Sequence, residues 1–230
     1  MRTPRARGGA VVTPTFGAGG DEPYARALQN DGQLLLVPAA GNSAASLVMD
    51  VARWSAAADA TDMSLIEEGS GPLLDIGCGP GRMVRAALTA GYSALGIDVS
   101  DAAIGVAEAA GVPVLRASVF DPLPLEGAWM TLLLVDGNIG IGGDPSALLE
   151  RCAELLSSTG CLLVEVQQDA SVDRSYECTI VGDDGRASAS FPWAEIGAAA
   201  LARRGSAAGL DVVQTWSRDG RTFCRLEPRP

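Results

Sequence analysis

A glycine-rich segment between two short apolar runs constrains the fold of this chain more than any other feature. The first run carries an acid at Asp75. Glycines follow at Gly77, Gly79 and Gly81, just before a helical pattern, and the second run, ALGI, leads to another acid at Asp98. Such glycines let the backbone turn tightly near a ligand, and an acid at the next strand tip accepts hydrogen bonds from ribose hydroxyls. The segment therefore predicts a strand–turn–helix–strand unit that binds an adenosine-like group.

The spacing of the glycines distinguishes between ligands that contain adenosine. Dinucleotide-binding proteins carry G-x-G-x-x-G and hold pyrophosphate at the helix N-terminus. Here the spacing is G-x-G-x-G, and the acid lies two residues before the first glycine. A carboxylate at that position repels pyrophosphate but attracts an ammonium group. The pattern therefore favours S-adenosylmethionine, which has an ammonium group, a sulfonium and no phosphate.

The strings LLDIGCGPGR and GIDVS resemble the first two motifs of class I S-adenosylmethionine-dependent methyltransferases of the small-molecule type. The resemblance implies that a methyl group is transferred from S-adenosylmethionine to an O-, N- or C-nucleophile of a small acceptor by direct displacement. It implies that Asp75 lies near the ammonium group and that Asp98 holds the ribose hydroxyls. It also assigns to the cofactor site the residues Gly77, Gly79, Gly81, Val99, Ser118, Val119 and Phe120. The family usually has an acid where Ser118 stands, so the contact with the adenine amino group lacks a charge here.

The loop after the buried run WMTLLLVD predicts the acceptor side of the site. The resemblance implies that groups at the end of this strand lie closest to the transferred methyl. Asp136 is then a general base or substrate anchor, or else a turn acid whose backbone matters more. Asn138 is the other side chain in the loop that can orient a polar substrate, and we predict that both belong to the acceptor site rather than the cofactor site. The loop lacks the N-P-P-Y or D-P-P-Y string of methyltransferases that modify amino groups of nucleic acid or glutamine.

Charge and cysteine content narrow the classes of partner. The formal net charge is −11, there is no histidine, and all 17 basic residues are arginines. Nucleic-acid binding relies on a dense basic surface, so we expect a small-molecule partner and no nucleic acid. No apolar run is long enough for a membrane span, and five cysteines without a C-x-x-C pair indicate reduced thiols in the cytoplasm and no metal site. The oligomeric state stays open.

Alternating strand and helix patterns predict an α/β fold. It is a doubly wound, seven-stranded, mostly parallel sheet of the Rossmann-like methyltransferase type, with an antiparallel last strand. Strands are predicted at 73–76, 94–97, 113–117, 129–136, 160–166, 210–217 and 221–227. Helices are predicted at 80–90, 101–110, 145–157 and 192–208.

Segments outside this sheet predict the domain organisation. Residues 1–22 have the composition of a disordered or loosely ordered leader, and 23–230 form a single methyltransferase domain. Residues 46–70 are predicted as an N-terminal helical cap, broken near Thr61, and 168–191 as a β-hairpin insertion. The insertion either covers the substrate or serves as a surface hairpin or dimer contact. Trp54, Trp193 and Tyr176 are candidates for the walls of an aromatic pocket or for core positions.

Two other functions remain as alternatives. One is a non-catalytic subunit that binds S-adenosylmethionine and stabilises a partner, an alternative supported by the missing acid at Ser118. The other is a nicotinamide-dependent oxidoreductase, which the glycine spacing disfavours.

Overall fold

The computed structural model describes residues 14–18, 23–30, 32–41 and 44–229. The strands, in chain order, are β1 (Leu34–Pro38), β2 (Leu47–Met49), β3 (Leu73–Ile76), β4 (Ala94–Asp98), β5 (Val114–Arg116), β6 (Trp129–Leu134), β7 (Leu156–Val166), β8 (Asp173–Gly182), β9 (Phe191–Ile196), β10 (Leu210–Arg218) and β11 (Arg221–Pro228). The helices are α1 (Pro23–Asn30), α2 (Val51–Ser55), α3 (Ala60–Glu67), α4 (Arg82–Thr89), α5 (Asp101–Ala109), α6 (Pro145–Leu155) and α7 (Ala198–Ala207), and a 3₁₀ turn covers Asn138–Gly143.

A seven-stranded sheet forms the centre of the fold, in the order β10-β11-β7-β6-β3-β4-β5. The run from β7 to β5 is parallel throughout. The last strand, β11, is antiparallel to both of its neighbours. Strands of a parallel sheet covered on both faces are apolar along their length, and β6 and β7 fit that description. The predicted α/β fold with its antiparallel last strand is confirmed.

Alternate residues of β3 and β6 belong to two different hydrophobic clusters, one on each face of this sheet. Leu74 and Leu132 belong to a cluster with residues of α6 and α7. Their neighbours Leu73 and Leu133 belong to another cluster, with residues of α3 and α4. Because successive strand residues point to opposite faces, these helices lie on opposite sides of the sheet.

The predicted starts of α5 and α6 are confirmed, and a capping side chain precedes each helix. The Ser100 side chain accepts a hydrogen bond from Ala103 N at the start of α5. Asp144 accepts from Ser146 N and Ala147 N, with a proline at the first position of α6. Capping side chains of this kind satisfy N–H groups that have no partner within the helix.

A second sheet of four antiparallel strands, in the order β2-β1-β8-β9, lies outside the central one. Strands β8 and β9 form a hairpin over 173–196, which is shifted by five residues towards the C-terminus relative to the predicted 168–191. Strand β1 falls in a run that the sequence marks as apolar, and it pairs along β8 with Leu36 opposite Ile180. The predicted helix over 192–208 is therefore wrong in its first six residues, which are extended, and α7 begins at Ala198.

The predicted cap over 46–70 is only partly helical. It contains the short strand β2 followed by α2 and α3, and the break between the helices ends at Asp59, which forms a capping box with Asp62. Most of the predicted leader 1–22 lies outside the described residues. In the described part of the chain, no helix combines the length and the apolar character needed to cross a bilayer.

Candidate active site

A cavity of about 600 Å³, here called the central cavity, opens at the carboxyl ends of β3, β4, β5 and β6. Ligands of open α/β sheets bind at this edge. Most of the predicted cofactor residues line the central cavity, namely Asp75, Gly77, Gly79, Asp98, Val99, Ser118, Val119 and Phe120. Gly81 does not line it. A Cβ on Gly81, at φ +83°, would lie 2.8 Å from Cγ1 of Val112, so this glycine is needed for packing.

The glycine turn is stabilised by the acid at the tip of β4. Asp98 Oδ2 accepts a hydrogen bond from Gly79 N at 2.9 Å, and Oδ1 accepts from Ser100 N at 2.8 Å. Burial raises the pKa of Asp98, and these main-chain donors oppose the shift. A carboxylate has about four acceptor positions, so capacity remains for the two hydroxyls of a ribose.

Asp75 is an acid without a partner on one oxygen. It is 1% exposed, and among the described residues nothing donates to its Oδ1. Burial raises the pKa of Asp75 to about 7, while Arg82 acts in the opposite direction. Asp75 lines the central cavity, and a carboxylate there that lacks a cationic partner fits a cationic ligand group, such as the ammonium group of S-adenosylmethionine.

The loop after β5 carries Ser118, Val119 and Phe120. The Ser118 hydroxyl accepts a hydrogen bond from Phe120 N at 3.3 Å. Arg151, which the sequence analysis did not identify, donates from Nε to the carbonyl of Val119 at 2.9 Å and from Nη2 to the carbonyl of Asp121. The loop is therefore held at its backbone by a side chain of α6.

Asp136 lines the central cavity with both oxygens in ion pairs. Arg53 Nη1 lies 2.7 Å and Arg221 Nη2 3.4 Å from Oδ1, and Arg82 Nη2 donates to Oδ2. Burial raises the pKa of Asp136, and the guanidinium groups oppose this. Proton transfer to this carboxylate would compete with the ion pairs, which favours a positioning role over that of a general base.

Asn138 lines the central cavity from the 3₁₀ turn, but its amide group is hydrogen-bonded to the main chain. Its Nδ2 donates to the carbonyl of Ile76 at 2.8 Å and to that of Gly77 at 2.9 Å. A Cβ on Gly77 would lie 2.8 Å from this nitrogen, so only glycine fits there. Asn138 therefore joins the predicted acceptor loop to the glycine turn.

A network of buried and partly buried charges lies beside Asp136. Asp62, 1% exposed, accepts from Arg53, Arg82 and Arg221, and Glu165 accepts from Arg221 and from Asp136 N. The network joins α2, α3 and α4 to the ends of β6, β7 and β11. Its members are far apart in sequence, so neither spacing nor pattern could identify it.

Aromatic side chains form one wall of the central cavity. Phe16, Tyr24, Trp54 and Trp193 line it, with the ring of Phe16 5.0 Å from that of Tyr24 and 5.9 Å from that of Trp193. Both tryptophans were predicted from the sequence as candidates for such a wall, whereas Phe16 and Tyr24 were not. Tyr176 is buried in the second sheet and does not line the cavity.

A smaller cavity of about 440 Å³, here called the side cavity, adjoins the central one. The two share the lining residues Met49, Trp54, Asp136 and Trp193. The side cavity also reaches the ends of β7 and β9 and the turn between β10 and β11. Asp136 therefore lies between the two cavities, and the glycine turn lines only the central one.

Within the described residues, the cysteines and acids form neither a disulfide nor a metal site. All five cysteines are free and buried. No group of three or more cysteine, aspartate or glutamate side chains there has a geometry that could hold a metal ion.

Comparison with known proteins identifies the family to which the chain is similar. Residues 51–215 match the profile of a family described as a methyltransferase domain. Among curated proteins, none matches the sequence.

Solved structures share the fold. An S-adenosylmethionine-dependent methyltransferase from Bacteroides fragilis, in complex with S-adenosylhomocysteine, superposes with a TM-score of 0.75 at 18% identity, covering 95% of this chain and 99% of that one. The 1,6-didemethyltoxoflavin-N1-methyltransferase from Burkholderia thailandensis gives 0.55 at 17% identity, covering 74% and 78%. The sugar N-methyltransferase KedS8 from Streptoalloteichus gives 0.55 at 17%, covering 74% and 86%.

Proposed function

Because this chain belongs to the methyltransferase domain family, we propose that it transfers a methyl group from S-adenosylmethionine to a small-molecule acceptor. The observation that carries the choice of cofactor is the unpaired, buried Oδ1 of Asp75 beside the glycine turn. A dinucleotide would place its anionic pyrophosphate at the glycine turn beside this carboxylate, whereas S-adenosylmethionine would place an ammonium group there. Asp98, on the other side of the turn, has acceptor capacity for the ribose.

The acceptor is proposed to bind against the aromatic wall and to enter through the side cavity. Trp54 and Trp193 belong to both cavities, so a molecule held between them lies next to the central cavity. Structural relatives include enzymes named for a toxoflavin precursor and for a sugar, which supports an acceptor of metabolite size. The net charge of −11 argues against nucleic acid.

When bound, S-adenosylmethionine supplies a sulfonium-activated methyl group that a nucleophile displaces directly. The chain then needs mainly to align the reactants and exclude water. Tyr24, Trp54 and Trp193 provide apolar surface for both tasks. With no histidine in the chain and Asp136 in ion pairs, the site suits nucleophiles that need weak base assistance, such as amines, phenols and thiols.

The test combines turnover with binding. Purified protein is incubated with methyl-labelled S-adenosylmethionine and fractionated metabolite extracts, and we expect S-adenosylhomocysteine together with one labelled small molecule. Titration with NADH should give no binding. Asp98→Ala should weaken S-adenosylhomocysteine binding by about tenfold or more, since a charged hydrogen bond contributes about 1.5–3 kcal/mol. Its matched control is Asp101→Ala, an exposed acid outside the central cavity.

Two results would contradict the proposal in different ways. Binding of the cofactor without turnover of any fraction would indicate a non-catalytic subunit. Absence of binding, or an unchanged affinity in a folded Asp98→Ala variant, would remove the cofactor assignment itself.

A further inference from the structure

Strand β9 connects the central cavity to the side cavity along its length. Pro192 lines only the central cavity, Trp193 lines both cavities, and Glu195 lines only the side cavity. Because successive side chains of a strand point to opposite faces, Trp193 and Glu195 lie on the same face of β9, about 7 Å apart. A molecule that packs against Trp193 with one end at the central cavity can therefore reach Glu195 with its other end.

Glu195 is a buried acid with unused acceptor capacity. It is 3% exposed, and its Oε2 accepts a hydrogen bond at 2.5 Å from Nε of Arg174, which lies opposite it on β8. Among the described residues, Oε1 accepts only from Gln167 Nε2, at 3.2 Å. A carboxylate has about four acceptor positions on its two oxygens. Glu195 can therefore accept a further hydrogen bond from a ligand in the side cavity.

The charged groups of the side cavity favour a cation over an anion. Five of the described residues that line it are acids, and two are arginines. Arg53 donates to Asp62 and Asp136, and Arg221 donates to Asp62 and Glu165. Within the described lining, each arginine is thus already bound to carboxylates, and the chain has no lysine or histidine. A surplus of carboxylates in a cleft with apolar walls attracts cations.

The aromatic residues of the side cavity point to the same class of ligand. Trp54 and Trp193 line it together with Met49. Indole rings attract cations through their faces, more strongly where water is excluded. Aromatic rings next to a buried carboxylate therefore suit an organic amine better than a neutral alcohol.

We propose that Glu195 binds a protonated amino group at the end of the acceptor that lies away from the central cavity, so that the acceptor is a cationic amine. The inference rests on the proposed function and names the substrate class for the same site. It adds Glu195 as a residue that determines acceptor specificity.

The test uses three probes that share an indole ring and differ in the end group. Tryptamine carries a cation, tryptophol a neutral hydroxyl and indole-3-propionate an anion. Each is titrated by calorimetry into protein saturated with S-adenosylhomocysteine. Wild-type protein should bind tryptamine about tenfold or more tightly than tryptophol, because a charged hydrogen bond is stronger than a neutral one, and should not bind indole-3-propionate.

Glu195→Gln removes the charge but keeps an oxygen for Arg174. In this variant the affinity for tryptamine should fall about tenfold, to that of tryptophol, while the affinity for S-adenosylhomocysteine should change less than about twofold. Glu177→Gln is the matched control, since Glu177 is an exposed acid of the same hairpin that lines neither cavity. It should leave all of these affinities unchanged. Glu195→Asp, which keeps the charge on a shorter side chain, replaces Glu195→Gln if that variant does not fold, and should weaken tryptamine binding alone.

Several outcomes would overturn the inference. Equal wild-type affinities for tryptamine and tryptophol, binding of indole-3-propionate, or failure of all three probes to bind would each exclude a cationic amine as the acceptor. A folded position-195 variant that retains the full preference for tryptamine would remove the role of Glu195. Wild-type protein that does not bind S-adenosylhomocysteine would contradict the proposed function instead.

Discussion

At the scale of single residues, Asn138 connects two turns through one amide group. Because its Nδ2 donates to the carbonyls of Ile76 and Gly77, Asn138→Ala should loosen the glycine turn. We expect S-adenosylhomocysteine affinity and turnover to fall together, by about thirtyfold for two lost hydrogen bonds of about 1 kcal/mol each. Calorimetry and initial rates measure both, with Asn30→Ala on α1 as the control. Loss of turnover at unchanged cofactor affinity would instead support the acceptor-site role expected from sequence.

Asp75 should make cofactor binding depend on pH. Burial, opposed by Arg82, raises its pKa to about 7 in the free protein. The ammonium ligand prefers the ionised carboxylate, so affinity should fall as pH falls through 7, and binding near neutral pH should release a proton. Calorimetry in two buffers of different ionisation enthalpy measures that proton. Asp75→Asn should bind weakly with no proton release, and a pH-independent wild-type affinity would contradict the expectation.

Sequence and structure agree best on the placement of residues whose position depends on local chain geometry. The glycines at 77 and 79 and the acids Asp75 and Asp98 could be predicted because turn, strand tip and acid are contiguous in sequence. The partners of Asp136 could not, because Arg53 and Arg221 are 83 and 85 residues away along the chain. Phe16 was missed for a different reason, since its segment has the composition of a leader yet packs against Tyr24.

At the scale of elements, ion pairs on Asp62 join α3 to α2 and α4. Burial acts to raise the pKa of Asp62. Hydrogen bonds from Arg82 and Arg221 outweigh this effect and lower the pKa to about 2. Since the unfolded carboxyl has a pKa of about 3.9, the stabilisation is present above that pH and is lost as pH falls toward 2. Asp62→Asn should lower the free energy of unfolding by about 2 kcal/mol at neutral pH and by less in acid.

Denaturant unfolding at neutral and acid pH tests this expectation. Asp211→Asn, in an exposed pair with Arg229, is the control and should change stability by under about 1 kcal/mol. An equal loss for Asp62→Asn at both pH values would show that its contribution is not electrostatic.

The second sheet supplies part of the aromatic wall through β9, and we propose that this wall binds the acceptor. Trp193 lies on β9 and lines both cavities, whereas Trp216 lies on β10 and lines neither. Trp193→Ala should raise the acceptor KM by about tenfold or more, because a large aromatic contact is lost, and change S-adenosylhomocysteine affinity little. Trp216→Ala should leave the acceptor KM unchanged. Equal effects of the two variants on KM would argue against an acceptor wall.

The elements of the central sheet were predictable and those of the second sheet only in part. Buried strands of a parallel sheet appear in the sequence as apolar runs. Such runs predicted the ends of β3, β4 and β6 to within two residues. A short apolar run such as FPWAEI fits a strand or a helix equally well, so β9 was assigned to a helix. Strand β1 pairs with β8, with Pro38 opposite Cys178 and Leu34 opposite Gly182, and no local signal in the sequence indicates a pairing between residues so far apart.

At the scale of the whole molecule, the excess of acids limits the partners. The net charge is −11, and most arginines of the described residues are paired with carboxylates, so this part of the surface offers little to phosphate. Electrophoretic mobility shift with mixed RNA and duplex DNA at physiological salt should show no complex. Tight binding that weakens steeply with added salt would contradict this expectation.

The residues of the aromatic wall and the residues proposed to bind the methyl donor come from different elements of the chain. Asp75 and Asp98 come from strand ends of the central sheet, whereas Phe16, Tyr24 and Trp193 come from segments outside it. Substitutions in those outer segments replace none of the residues that pair in the central sheet or form the glycine turn. Natural variation can therefore exchange one metabolite for another without rebuilding the machinery for the methyl donor, and a laboratory library confined to the wall should evolve new acceptors in the same way.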